Sequence, residues 1–387
     1  MVEELSYVIV TPYSMRKSRT GGIIARLISR TGLDLVRGRM FAPGKELTEK
    51  FAETIVTDPD PRHRATQEIL RGYVLKNFQP DGSGHHPRVL MMIFQGENAV
   101  AKIRNVVGHI VNERTSGETI RDTFGDYVTD KNGQVIYFEP GVLAPPDAQS
   151  AERGLRLWAE YSDRDGGVLE DAVQYPAGVN VQKTLVLIKP DNFRFPNARP
   201  GAVIDVFSRS GLYIIGFKVH RMSVAQAEEF YRPVLDVLMD KLKEPIGARV
   251  RLLVEDELGC PLTDDTQRKL GELLGPIAGR NNWEAIVNFM SGARPSACPP
   301  ESRTDAGSEK CIALVYQGID AVRKIREVLG PTDPSKAPHG SIRREFGQTI
   351  MVNAAHASDA PENAEREMKI VQITENNFKS LVETNFA

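Results

Sequence analysis

Short apolar runs alternate with helix-period segments along this chain, and the whole alternation occurs twice. Residues 7–12 (YVIVTP) and 185–190 (LVLIKP) are each an apolar run stopped by proline, the pattern of a buried strand. GGIIARLISRTGL at 21–33 and PGAVIDVFSRSGL at 200–212 carry apolar residues at helical spacing. Each then reaches a glycine, Gly32 or Gly211, suited to the left-handed position just past a helix. A second apolar strand follows in both places, LDLVRGRMF or LYIIGFKVHRM. VLMMIFQGENAVAKIRNVVG at 89–108 matches CIALVYQGIDAVRKIREVLG at 311–330, which predicts a strand, a turn at Gln-Gly and a helix ending at glycine. ETIRDTFG at 118–125 matches GSIRREFG at 340–347. Arg104 and Arg121 stand 17 positions apart, and so do Arg326 and Arg343.

Recurrence of these elements in one order implies two homologous domains. We place them at 1–165 and 182–387, joined by a Gly-, Asp- and Pro-rich linker at 166–181. The second copy is 43 residues longer between its second strand and its arginine pair, so an insert is expected near 236–280. Within it ARVRLLVE reads as a strand and DDTQRKLGELLG as a helix; the chain rejoins the repeat at NNWEAIVNFMSG. Each copy runs β-α-β, then helices, then β-α and a late strand. That order predicts an α+β protein of two tandem ferredoxin-like α/β sandwiches, each a four-stranded antiparallel sheet with helices. Neither a GxGxxG nor a GxxxxGK[ST] loop occurs, so no Rossmann site or P-loop is expected.

Composition narrows the partners. Lys+Arg 49 against Asp+Glu 51 gives a net charge of −2, which offers no global argument for nucleic acid or membrane binding. An anion site must therefore come from a local cluster. Cys260, Cys298 and Cys311 are too few and scattered for a disulfide framework or a zinc pair. The N-terminus lacks the pattern of a signal peptide, and no apolar run has the length of a membrane span. A reduced, cytoplasmic protein is the expectation.

Chemistry concentrates in TIMVNAAHASDAPENAEREM at 349–368. The apolar run up to Asn353 reads as a strand, with His356 on a short turn after it. Ser358 or Asp359 is expected to cap a helix, with Asp359 and Glu362 at capping-box spacing and Pro361 in its first turn. A histidine between a strand end and a helix start faces backbone N–H groups that favour anions. Glu367 stands where it can fix one tautomer of the ring. His63, His85, His86, His109, His220 and His339 lack such company and read as surface or satisfied core residues. Upstream, Arg326 and Arg343 are suited to bidentate phosphate contact, with Thr332 and Lys336 between them.

IKPD at 188–191, LGPTDP at 329–334, SKAPHGSIRREF and NAAHASDAPENAERE at 353–367 together resemble the ordered motifs of nucleoside diphosphate kinases. The resemblance covers most of 182–232 and 283–370. It implies that His356 takes the γ-phosphate from a nucleoside triphosphate and passes it to a diphosphate. It also implies that Lys189, Tyr231, Arg326, Thr332, Arg343 and Asn353 hold phosphates and ribose, and that Ser358 and Glu367 support the histidine. Mg²⁺ on the nucleotide and self-association are implied as well. The family places an aromatic residue that stacks on the base before a Met-x-Ser-Gly-like helix end. Aligning FMSG at 289–292 puts Asn282 there, so either the adjacent Trp283 stacks instead or the base site is altered.

The first copy keeps Arg104 and Arg121 but has Thr11 for Lys189 and Ile110 for Thr332. Counting 13 positions on from Arg121, as from Arg343 to His356, reaches Gln134. His109 is a remote substitute for the nucleophile. The first copy is thus read as inactive: a built-in dimer partner for the second, or an anion sensor through its two arginines. Three activities are open: a nucleoside diphosphate kinase with one active copy, a non-catalytic nucleotide-binding regulator, and a histidine phosphotransfer protein acting on another protein.

Overall fold

The computed structural model describes residues 3–57, 60–82, 86–110, 117–170 and 173–386, with residues 61–63 by backbone alone. His85, the side chain of His63 and positions 171–172 of the expected linker lie outside the described residues. Contacts divide the chain into two compact units: Met1–Val219 with Ile312–Ala387, and His220–Cys311.

The first unit contains both repeats. In the first copy, β1 (Glu3–Val10) leads through α1 (Pro12–Arg16) and α2 (Thr20–Thr31) to β2 (Asp34–Phe41). Next come α3 (Lys45–Glu53), α4 (Pro61–Asn77), β3 (Val89–Glu97) and α5 (Ala99–Val107). α6 (Ile120–Phe124), the hairpin β4 (Asp126–Thr129) and β5 (Val135–Glu139), β6 (Val142–Leu143) and α7 (Ala148–Tyr161) complete it. Its four-stranded sheet has the order β2-β3-β1-β6. The last six residues of β1 are buried on both faces, which is why the strand reads as a continuous apolar run.

The second copy contributes β7 (Val181–Ile188), α8 (Arg199–Phe207) and β8 (Tyr213–His220). After helices α9 to α11, described below, which hold the insert, come β9 (Cys311–Ile319), α12 (Ala321–Leu329), α13 (Ile342–Phe346), β10 (Ala355–Ala357), α14 (Pro361–Ile370) and α15 (Asn377–Asn385). Its sheet order, β10-β7-β9-β8, is the same order written from the other edge. The antiparallel register repeats too: Val8 faces Met92 in one copy, and Val186 faces Leu314 in the other. Backbone specials coincide as well. Gly32 and Gly211 adopt φ of 65° and 69°, closing α2 and the turn after α8 in the left-handed region. The expected Gln-Gly turn is instead part of β3 and β9; the reversal occurs at Asn98 and Asp320, with φ of 54° and 53°. Asn and Asp tolerate that region better than most residues.

Within this unit the copies pack closely. A Cβ on Gly21 of α2 would lie 2.4 Å from the Asp205 backbone nitrogen, and one on Gly201 of α8 would lie 2.2 Å from that of Ala25. Glycine at both positions lets the helices touch backbone to backbone. Residues 166–169 stitch the edge strands: Gly167 N–H donates to the Met40 carbonyl and Leu169 N–H to the Ile215 carbonyl, at 2.9 and 2.8 Å. Phe378 of α15 enters the first copy's core, its ring 5.7 Å from Phe41.

The second unit is helical, built from α9 (Val224–Lys241), α10 (Lys243–Leu258) and α11 (Asp264–Ser291). The expected strand ARVRLLVE lies inside α10. Leu252 and Leu253 are exposed there, and the inward face is supplied by glycine instead. Gly247 would strike Gln267 of α11 if it carried a Cβ, and Gly271, Gly275 and Gly279 meet the backbones of Lys243 and Met239 in the same way. Arg251 locks the turn of the hairpin, pairing with Glu255 and Asp264 at 2.7 Å each. Among the described residues no helix is long and apolar enough to cross a membrane.

Candidate active site

β7 ends where Pro190 removes an N–H from the ladder, and Lys189 turns inward at that end. Lys189 is buried. Its ammonium donates to Asn353 Oδ1 at 2.9 Å and to the Met351 carbonyl. The Asn353 amide in turn donates to the carbonyls of Thr332 and Ile350, at 3.1 and 2.8 Å. Burial pushes the Lys189 ammonium down to about 8, with Asp191 opposing the shift and the nearby Arg343 charge adding to it.

The segment before His356 is not a strand. The Thr349 hydroxyl accepts from the N–H of Val352 at 3.0 Å, and Gln348 N–H donates to the Val352 carbonyl, making a turn of the apolar run. Ala354 then takes φ of 69°. This strained position is held by Lys189 N–H, which donates to the Ala354 carbonyl, and by Asp191, which accepts the Ala354 N–H. Asn192, fully buried, donates to the carbonyls of both Lys189 and Ala354. Asp191 and Asn192 were not singled out from the sequence, although Pro-Asp-Asn after a strand is a turn signal.

His356 therefore sits on the short strand β10, facing Leu187 of β7, and not on a turn. Between buried Ala355 and Ala357 its ring stays partly exposed, at 24% of the side chain. Its Nε2 lies 3.0 Å from Glu367 Oε2, and the same oxygen accepts the Ser358 hydroxyl at 2.6 Å. Ser358 is thus committed to Glu367 and does not cap the next helix; Ala360 occupies the N-cap without a side-chain bond. Glu367 comes from the buried face of α14. Arg343 donates to the carbonyls of Gly330 and Ala355, at 3.0 and 3.2 Å, which fixes it beside β10. Arg326, in the last turn of α12, lines an open cleft of about 550 Å³ with Arg323, Asp359 and Pro361 at the entrance to α14. Lys189, Asn353, Arg343, His356, Ser358 and Glu367 are thus gathered at one end of β7, with Thr332 supplying a carbonyl.

Tyr231 and Trp283 belong to the helical unit. The Trp283 indole N–H donates to the Tyr231 carbonyl at 2.9 Å, and the ring is 4% exposed. It packs between helices and offers no open face for stacking. Asn282 is exposed in the middle of α11, not at a helix start.

The first copy repeats the scaffold without the chemistry. Arg121 donates to the carbonyls of Gly108 and Val142, as Arg343 does to Gly330 and Ala355. Val10 pairs with Val142 and Ile188 with Ala355, so the counterpart of His356 is Leu143 and not Gln134. The count from Arg121 fails because β4 and β5 add a hairpin before the late strand. In the same register Ser358 becomes Pro145 and Glu367 becomes Gly154. A Cβ at Gly154 would lie 2.4 Å from the Tyr7 hydroxyl, so Tyr7 fills the space that a glutamate would need. Where Lys189 stands in the second copy, Thr11 donates to the buried Glu139 carboxylate at 2.8 Å. The adjoining cavity, which includes His109 and Arg121, holds about 30 Å³.

A sequence profile of nucleoside diphosphate kinases matches residues 4–136, 182–237 and 301–376. Nucleoside diphosphate kinase from Staphylothermus marinus is 28% identical over 193 residues, spanning 50% of this chain and 94% of that protein. The enzyme of the same name from Halorhodospira halophila is 30% identical over 189 residues, 49% of this chain and 91% of its own length. The crystal structure of the Aquifex aeolicus nucleoside diphosphate kinase aligns with 50% of this chain and 95% of its own, at 26% identity and a TM-score of 0.31. The profile spans well over half of the sequence and falls in both copies, and on that basis this chain belongs to the nucleoside diphosphate kinase family.

Proposed function

We propose that this protein moves the γ-phosphoryl group of a nucleoside triphosphate to a nucleoside diphosphate through a phosphohistidine on His356. The observation that carries the reading is the Ser358–Glu367–His356 chain, at 2.6 and 3.0 Å, present in one copy and absent from the other. A carboxylate on Nε2 favours the tautomer with its proton there, which puts the lone pair on Nδ1. Nδ1 attacks the γ-phosphorus; the N–P bond forms as the bond to the β,γ-bridging oxygen breaks, and the diphosphate leaves with that electron pair. A second diphosphate reverses the step, giving ping-pong kinetics. Phosphoryl transfer of this kind needs alignment and positive charge more than acid–base help. Lys189, Arg343 and Arg326 supply that charge, Asn353 aims Lys189, and Thr332 completes the contacts to the nucleotide. The nucleotide is taken as its Mg²⁺ complex, the ion arriving with the substrate. The first copy serves as an internal dimer partner, supported by the Gly21–Gly201 helix contact. The setting is cytoplasmic.

Incubation of the protein with γ-labelled ATP should give an acid-labile, alkali-stable label at one site per chain. His356→Ala should remove it without unfolding the protein. A well-folded wild type that takes no label overturns the reading.

A further inference from the structure

Between the two copies lies a cavity of about 180 Å³ that the phosphotransfer chemistry does not use. Its wall includes Arg16, Ser18 and Arg88 from the first copy and Ser208, Tyr213 and Tyr316 from the second. No carboxylate lines it among the described residues.

Arg88 is 6% exposed, and its guanidinium lies 4.9 Å from the Tyr213 ring centre while donating to the Ile214 carbonyl at 2.6 Å. Among the described residues it has no acidic partner, and the one cation that acts on it is a second arginine, Arg16. Burying a cation without a counter-charge is costly, and here the nearby Arg16 adds repulsion. Desolvation lowers the Arg88 guanidinium to about 10; Tyr213 and Tyr175 oppose the shift and Arg16 adds to it. Tyr316 adds an independent sign. It is 1% exposed and its hydroxyl has no hydrogen-bond partner. A buried hydroxyl left unmade costs about 1–3 kcal/mol, so such groups call for a partner. Two cations around one small cavity, lined also by the tyrosine that carries this unpartnered hydroxyl, is a composition suited to an oxyanion.

Size limits the class. The volume equals roughly six waters at about 30 Å³ each, which is below the range of about 300–1,000 Å³ usual for larger ligands. A nucleoside does not fit; one or two phosphoryl groups do. We propose that this cavity binds a small free oxyanion of one or two phosphoryl groups, held by Arg16 and Arg88 of the first copy and the Tyr316 hydroxyl of the second. Such a ligand touches both copies, so its binding ties them together.

Full-length protein is titrated with inorganic pyrophosphate and, separately, inorganic phosphate, by calorimetry and by thermal unfolding. Arg16→Gln, Tyr316→Phe and Arg343→Gln are carried in parallel, the last to mark binding at the candidate nucleotide site. Binding of either anion that weakens at least 10-fold in both Arg16→Gln and Tyr316→Phe, and persists in Arg343→Gln, supports the site. Tyr316→Phe removes one unsatisfied oxygen, so without anion it should melt no lower than wild type; this control separates lost binding from lost folding. Absence of binding in wild type overturns the proposal, as does binding that only Arg343→Gln weakens. Neither result bears on phosphorylation of His356, which the label assay reads separately.

Discussion

One carboxylate oxygen, Glu367 Oε2, accepts from both Ser358 and His356, so the charge on that oxygen orients the ring. Glu367→Gln keeps the size and loses the charge, and its amide can present a donor to Nε2 and select the wrong tautomer. The phosphorylation rate of His356 should fall about 10²-fold with little change in melting temperature; pre-steady-state labelling measures it, and an unchanged rate removes Glu367 from the mechanism. Lys189 gives a pH signature. Its folded value near 8 lies below the ordinary 10.5, so between those values the unfolded chain binds the extra proton and stability rises with pH. Phosphate affinity moves the other way, because Lys189 loses its charge above about pH 8. Nucleotide KM should therefore climb above pH 8 in wild type, while unfolding free energy gains up to roughly 3 kcal/mol towards pH 10.5. Lys189→Met should flatten both trends. The residues proposed to meet phosphate were legible in the sequence because that chemistry draws on Lys, Arg, Asn and His, here at a strand end, on two short helices and on the late strand. Trp283 was not, since its exposure is decided by a carbonyl on another helix, Tyr231.

Among the elements, the strands and helices of the repeat were legible because Pro190, Gly32 and Gly211 mark their ends and both copies supply the same reading. Two of the departures share one cause. A short apolar run carries no period of its own. ARVRLLVE became helix because glycines 247, 271, 275 and 279 let α10 and α11 touch. TIMVN became a turn because Thr349 captured the Val352 N–H. Counting to Gln134 failed because the β4–β5 hairpin adds length that no residue type announces. Strand register puts Leu143 at the position of His356. Leu143→His puts the residue at the right strand position but leaves Gly154 and Pro145 where an acceptor and its donor are needed, with Tyr7 in the space. Label should remain at one phosphate per chain in this variant, scored by intact mass. Two phosphates would show that strand position alone creates the nucleophile.

At the scale of the molecule, the question is what holds the fold of the copy that lacks the Ser-Glu-His chain. The two copies do not have separable cores: residues of the second complete the first. Phe378, in α15 at the end of the second copy, is fully buried against Phe41, in a cluster with Trp158 and Phe51. Val382 joins it, and polar contacts hold the helix in place, with Lys379 pairing with Asp163 at 2.7 Å and Asn376 donating to Ser162. Arg37 of β2 donates to the Asn377 carbonyl at 2.9 Å. The first copy's sheet thus uses a helix more than two hundred positions away to cover one of its faces. Phe378→Ala should destabilise by about 3–5 kcal/mol, the usual cost of a large buried aromatic. Its location makes the distribution of the damage informative. Hydrogen exchange should accelerate first in β2 and α7, which belong to the first copy, while β7 and β9 stay protected until global unfolding. Loss of protection confined to α15 itself would mean that the first copy closes its core without the second. Loss in β2 and α7 would mean that the first copy depends on the second for its fold, as the second is proposed to depend on the first for a partner.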